Sequence, residues 1–131
     1  MFLNRLDNKE KVAFLELAHY IARSDNDFSD AEENMIAIYC LEMEIENINF
    51  DDTKFNLEST LSKFETEESR KIALLEIMAL IYSDGLEDEE QKVIDSMVNI
   101  FNLTNELSHE YAKWTQSILK VSAQGHKLIY S

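Results

Sequence analysis

The chain has 131 residues, 45% of them hydrophobic, with two glycines and no proline, a make-up that excludes a disordered acidic tail and points to one helical domain. Twenty-six acidic residues against twelve basic ones leave a net charge of −14. Nucleic-acid phosphates and anionic lipid are therefore repelled, whereas cations and basic protein surfaces are attracted.

The N-terminal stretch MFLNRLDNKEK lacks an apolar signal core, and no apolar run reaches the ~18 residues of a membrane span. A single cysteine, Cys40, permits no internal disulfide and fits a reducing compartment. The expectation is a soluble, cytoplasmic protein with no membrane insertion.

Asp7 followed by Glu10 is a capping-box pattern, so the first helix is expected to begin at Asn8. Val12, Leu15, Ala18, Ile21 and Ala22 give it an apolar stripe, widened by Phe14 and Leu17. Ser29 with Glu32 repeats the box and opens a helix from Asp30 to about Met43, with Met35, Ile36, Ile38, Tyr39 and Leu41 as core candidates. Glu44 to Phe50 reads as a connector. Asp51 or Asp52 is placed to cap a short helix over Thr53 to Phe64.

Thr66 then begins the central helix, whose stretch Ile72 to Tyr82 is apolar on almost every side, with Glu76 its only charge. Such a helix is normally buried. A helix over Asp88 to Phe101 follows, with Val93, Ile94, Met97, Val98 and Phe101 facing inward and Asn102 suited to a left-handed stop. Thr104 caps the last helix, which carries Leu107, Tyr111, Trp114, Ile118 and Val121 on one face, and Gly125 is expected to interrupt or fray it. The pattern predicts an all-α, single compact bundle of about six or seven helices spanning 1–131.

Two stretches parallel each other. Ser24 aligns with Ser83, Asp25 with Asp84 and Asn26 with Gly85; after a one-residue gap, Phe28 aligns with Leu86, Glu32 with Glu90 and Ile36 with Ile94. Each is a helix, a short acidic elbow and a second helix. This predicts two pseudo-symmetric helix-loop-helix repeats, about 8–43 and 67–101, followed by a C-terminal helix at about 105–130.

The elbows hold the one constellation with a chemical rationale. Carboxylates are hard oxygen ligands, and a tight turn can bring several onto Ca²⁺ or Mg²⁺. Asp25, Asp27 and Ser29 match the first, third and fifth positions of an EF-hand, but Asp30 replaces its glycine and Ile36 its bidentate glutamate, so that motif is rejected. Ser29, Glu32, Asp88 and Glu90 also suit helix N-termini without any ligand.

The run Ser24-Asp25-Asn26-Asp27-Phe28-Ser29-Asp30-Ala31-Glu32 and its counterpart Ser83-Asp84-Gly85-Leu86-Glu87-Asp88-Glu89-Glu90 resemble the TerB-like (tellurite resistance protein B) family over roughly Leu6 to Leu119. Asn26 stands where the pattern has glycine, and the second elbow is one residue shorter. The resemblance implies a cytoplasmic all-α module of two helical hairpins, acting in tellurite or general stress response beside membrane-associated protein partners; with no positioned base or substrate pocket legible in the sequence, the module is expected to be non-enzymatic. It also implies a divalent cation (Ca, Mg, Mn or Zn) held by acidic residues, for which Asp25, Asp27, Glu32, Asp84 and Glu90 are the candidate metal ligands. Tellurite is an anion that a −14 chain receives poorly, so a resistance role would be indirect. The alternative is a structural or adaptor domain whose acidic loops only cap helices.

The remaining polar residues carry less. His19 reads as a partly buried packing residue, and His109 and His126 share no metal-ligand spacing. Cys40 reads as a small buried hydrophobe, and Tyr111 with Trp114 as core. No nucleophile elbow, P-loop or HExxH pattern is present. Lys113, Lys120 and Lys127, seven residues apart, form a basic strip on an acidic molecule, most simply a solvated helix face.

Overall fold

The computed structural model describes residues 1–24, 28–83 and 88–131, and every regular element among them is helical. A 3₁₀ turn at Leu3–Arg5 leads into α1 (Asn8–Ala22), α2 (Asp30–Met43), α3 (Leu57–Leu61), α4 (Glu67–Ser83), α5 (Asp88–Ile100) and α6 (Asn105–Tyr130). The helices pack as one bundle, with α4 touching the N-terminal turn, α1, α2, α5 and α6.

That position follows from composition. Ile72, Ala73, Leu74, Ile77, Met78, Leu80 and Ile81 are all buried, leaving α4 no solvent face to fill with charge along its middle. Glu76 is the exception and it is paired. Its carboxylate lies 3.2 Å from the Met1 ammonium and accepts from the Phe2 N–H at 3.3 Å. Glu42 of α2 binds the same ammonium. Burial opposes the charge on Met1, but the hydrogen bond to Glu42 and the field of Glu76 prevail and raise its pKa.

The helix boundaries are set locally. Asp7 Oδ1 accepts from the Glu10 N–H at 2.8 Å while Glu10 Oε1 accepts from the Asp7 N–H at 3.0 Å, completing the expected box at α1. Thr104 Oγ1 accepts from the Leu107 N–H at 3.1 Å and starts α6. Asn102 stops α5 in the left-handed region at φ 57°, and Glu44 stops α2 at the same φ. At Glu44 a residue without glycine's freedom takes that strain, of about 1 kcal/mol.

Four expectations are corrected. The helix expected over Thr53 to Phe64 shrinks to α3, capped by Asn56, whose Oδ1 accepts from the Ser59 N–H at 2.8 Å. Asp51 instead accepts from the Thr53 N–H at 3.0 Å and from the Thr53 hydroxyl at 2.6 Å. A side chain that satisfies its own turn competes with helix formation there. Secondly, Gly125 does not interrupt α6, which runs on to Tyr130. One glycine costs only about 1 kcal/mol within a helix, and its neighbours are helix formers.

Thirdly, Ile38 and Leu41 are 60% and 78% exposed. Ile36, Tyr39 and Met43 already supply the inward side of α2, and Ile38 and Leu41 fall on the opposite one. Fourthly, Val12, Trp114 and Val121 are exposed rather than core. The side chains α6 buries are Ser108 and Thr115, and the hydroxyl of Thr115 has no hydrogen-bond partner among the described residues.

Candidate functional site

Of the five candidate ligands, Asp25, Asp27 and Asp84 lie outside the described residues; Glu32 and Glu90 lie within them. Both are buried, at 5% and 8% exposure, and each is the third residue of its helix, α2 or α5. Glu32 is held in the reciprocal box with Ser29. Its Oε1 accepts from the Ser29 N–H at 3.1 Å and from the Ser29 hydroxyl at 3.0 Å, while the Glu32 N–H donates to Ser29 Oγ at 3.1 Å. These bonds satisfy helix-end donors and fix the first turn of α2. Among the described residues, no three His, Cys, Asp or Glu side chains converge as a metal site would require.

Between the end of α1, Phe28 and the connector lies an aromatic clasp that sequence reasoning did not find. His19, on the last turn of α1, is 3% exposed, with its ring parallel to Phe28 and Phe50 at centroid distances of 6.1 and 5.7 Å. Its Nε2 pairs with Asn47 Oδ1 at 2.8 Å. The Arg23 guanidinium lies over Phe28 at 4.4 Å and over Phe50 at 5.8 Å, with its Nε donating to His19 Nδ1 at 3.4 Å. Tyr20 stacks on Phe55 at 4.4 Å and extends the cluster along the connector.

Desolvation dominates the electrostatics of His19. Burial lowers its pKa, Asn47 opposes and the Arg23 charge reinforces the lowering. The imidazole is therefore neutral at pH 7, with Nε2–H donating to Asn47 and Nδ1 accepting from Arg23. The clasp ties the connector to α1 and holds the Arg23 guanidinium over the Phe28 and Phe50 rings. A signal existed in the sequence: His19, Phe28, Phe50 and Phe55 are rings near elements that otherwise read as loop, but nothing in their spacing said they would meet.

The other surface feature is apolar. Along the outer face of α2, Ile38 and Leu41 are largely exposed, and Ala37, Cys40, Leu41 and Ile45, with Glu44 and Asn47 at its polar side, line a shallow depression of about 710 Å³. Burial raises the Cys40 pKa, so its thiol stays protonated at neutral pH and is a poor nucleophile. A narrower groove of about 230 Å³ lies between α2, α4 and α6, with Ile38, Ala79, Trp114 and Ile118 among its walls.

No protein-family model matches the chain, and no curated protein or solved structure is found similar to it. No helix among the described residues is long and apolar enough to cross a membrane.

Proposed function

We propose that the protein is a non-enzymatic, TerB-like module that binds protein partners in tellurite or general stress response, with a divalent cation at its acidic elbows as modulator. One observation carries this reading: Ile38 and Leu41 stand exposed on the helix that leaves the first elbow. Contiguous apolar side chains on a highly charged surface mark contact sites more often than chance. The elbow–box–α2 connection offers a route from cation to partner, because any ion that repositions the elbow bears on the Ser29–Glu32 cap and hence on the direction of α2. The cytoplasm, with basic or membrane-associated protein partners, is the setting this reading expects.

The Ser29–Glu32 box also favours a second reading, a structural adaptor in which the acids only cap helices. Calorimetric titration with Ca²⁺, Mg²⁺, Mn²⁺ and Zn²⁺ separates the two. Heat that disappears in Asp25→Ala or Asp84→Ala supports the modulated module, whereas no binding below millimolar supports the adaptor. Loss of partner capture in Leu41→Asp, with the helical circular-dichroism signal intact, would support the outer face of α2 as the contact. Undiminished capture would refute it.

A further inference from the structure

The last part of α6 is an overhang. From Lys120 to Tyr130 it extends about 16 Å, at 1.5 Å per residue, and in it Val121, Leu128, Ile129 and Tyr130 are 61%, 82%, 74% and 74% exposed. Ile118, Val121, Gly125 and Leu128 continue the spacing of the stripe that seats α6 on the bundle, so an apolar face runs on after the bundle beneath it has ended. Lys120 and Lys127 each precede a stripe residue, about 100° round the helix, and border it on one side. Three of the twelve basic residues fall after Glu110 and none of the twenty-six acids does. The overhang is thus basic and apolar on a molecule that is otherwise strongly acidic.

α2 has the opposite character. It carries Asp30, Glu32, Glu33 and Glu42 and no basic residue, with Glu44 just beyond, and its outer face shows Ile38 and Leu41. At fourteen residues it is long enough to underlie the whole overhang. The overhang cannot turn back onto its own bundle without breaking α6.

Resting on the partner-binding reading above, we propose that the partner is a second copy of this chain, with the overhang of each copy lying across the outer face of α2 of the other. A two-fold arrangement of this kind is closed and self-complementary. It contains the contact twice, and both uncovered apolar faces are buried by the same operation. Opposite charges on the two faces favour this register over pairing like with like, in which acidic α2 would meet acidic α2. An anionic bilayer is the competing surface for a basic amphipathic helix. The acidic bundle carried with the overhang disfavours that approach.

The test is sedimentation equilibrium or light scattering on the full chain from low to high micromolar concentration. The expected result is a mass twice the 15.3 kDa of the chain, with association weakened toward monomer in Leu41→Asp and in Leu128→Asp, each raising Kd by at least about tenfold. Both side chains are exposed, so the helical circular-dichroism signal should not change. Mixing the two variants should restore part of the association, because the intact overhang of one meets the intact α2 of the other at one of the two contacts. Lys120→Glu combined with Lys127→Glu should weaken the dimer most at low salt. A wild-type monomer at every concentration overturns the proposal, as does a dimer indifferent to Leu128→Asp, or a monomer that instead partitions onto phosphatidylserine vesicles. A monomer whose capture of another protein still requires Leu41 would overturn self-pairing and leave the partner-binding reading standing.

Discussion

The hairpins α1–α2 and α4–α5 are alike in sequence plan and unlike in how they are covered. In each, an apolar first helix precedes a helix whose third residue is a buried glutamate. α4 lies under α6 for much of its length, while α1 is roofed by the connector through the His19, Phe28, Phe50 and Phe55 clasp. An aromatic clasp is shorter than a helix, and it leaves the outer side of α2 bare. Similar local spacing therefore produces a closed face on one hairpin and an open one on the other, and the open one is where binding is proposed.

Substitutions across the two hairpins should separate a closed from an open face. The largest effect is expected in α4, where Ile77→Ala or Leu74→Ala removes a fully buried side chain and should cost about 2–5 kcal/mol in chemical denaturation. Leu41→Ala on α2 is the matched control and should lie within about 0.5 kcal/mol of wild type for the monomer. Comparable losses at both positions would mean that α2 has no open face.

The clasp comes next. Phe28→Ala should cost about 2 kcal/mol or more, since it uncovers both the His19 ring and the Arg23 guanidinium. It also sets a pH dependence. Because burial holds the folded-state pKa of His19 below its ordinary 6.5, the clasp contributes fully above pH 6.5 and loses its contribution as pH falls from there through the lowered folded value. His19→Gln, which keeps a donor for Asn47, should flatten that acid limb of a stability-versus-pH curve; an unchanged limb would assign it to carboxylates instead.

Glu32→Ala should follow at about 1 kcal/mol, the usual loss for a capping partner. Thr115→Val should be the smallest and of opposite sign. It replaces a buried hydroxyl that has no partner among the described residues with a methyl group of the same shape, so the melting temperature should hold or rise slightly.

The fold class and most helix ends could be read before any coordinates. Asp7, Ser29, Thr104 and Asn102 act through bonds within a few residues of themselves, and such local chemistry is visible in a string of letters. What misled the reading was whatever depended on a neighbour. Asp51 bonded its own turn instead of capping a helix, and Gly125 sat in a helix strong enough to carry it. Ile38 and Leu41 looked like core because α2 is apolar on two sides, and only the packing of α1 and α4 decides which side is buried. The clasp was illegible for the same reason, since His19 and Phe50 are thirty-one positions apart. Of the candidate ligands, the cap at Glu32 followed from sequence; the open outer face of α2 and the bare end of α6 emerged only once exposure was known.

Hydrogen–deuterium exchange read at two protein concentrations bears most directly on the central claim that the outer face of α2 and the α6 overhang are one interface. At low concentration the amides of residues 121–130 should exchange fast, as in any helical end without tertiary support. At high concentration they and the amides around Ile38 to Glu42 should slow together, with the rest of the surface unchanged. Exchange in both segments that ignores concentration, or protection that arises on the α5 surface instead, would contradict it.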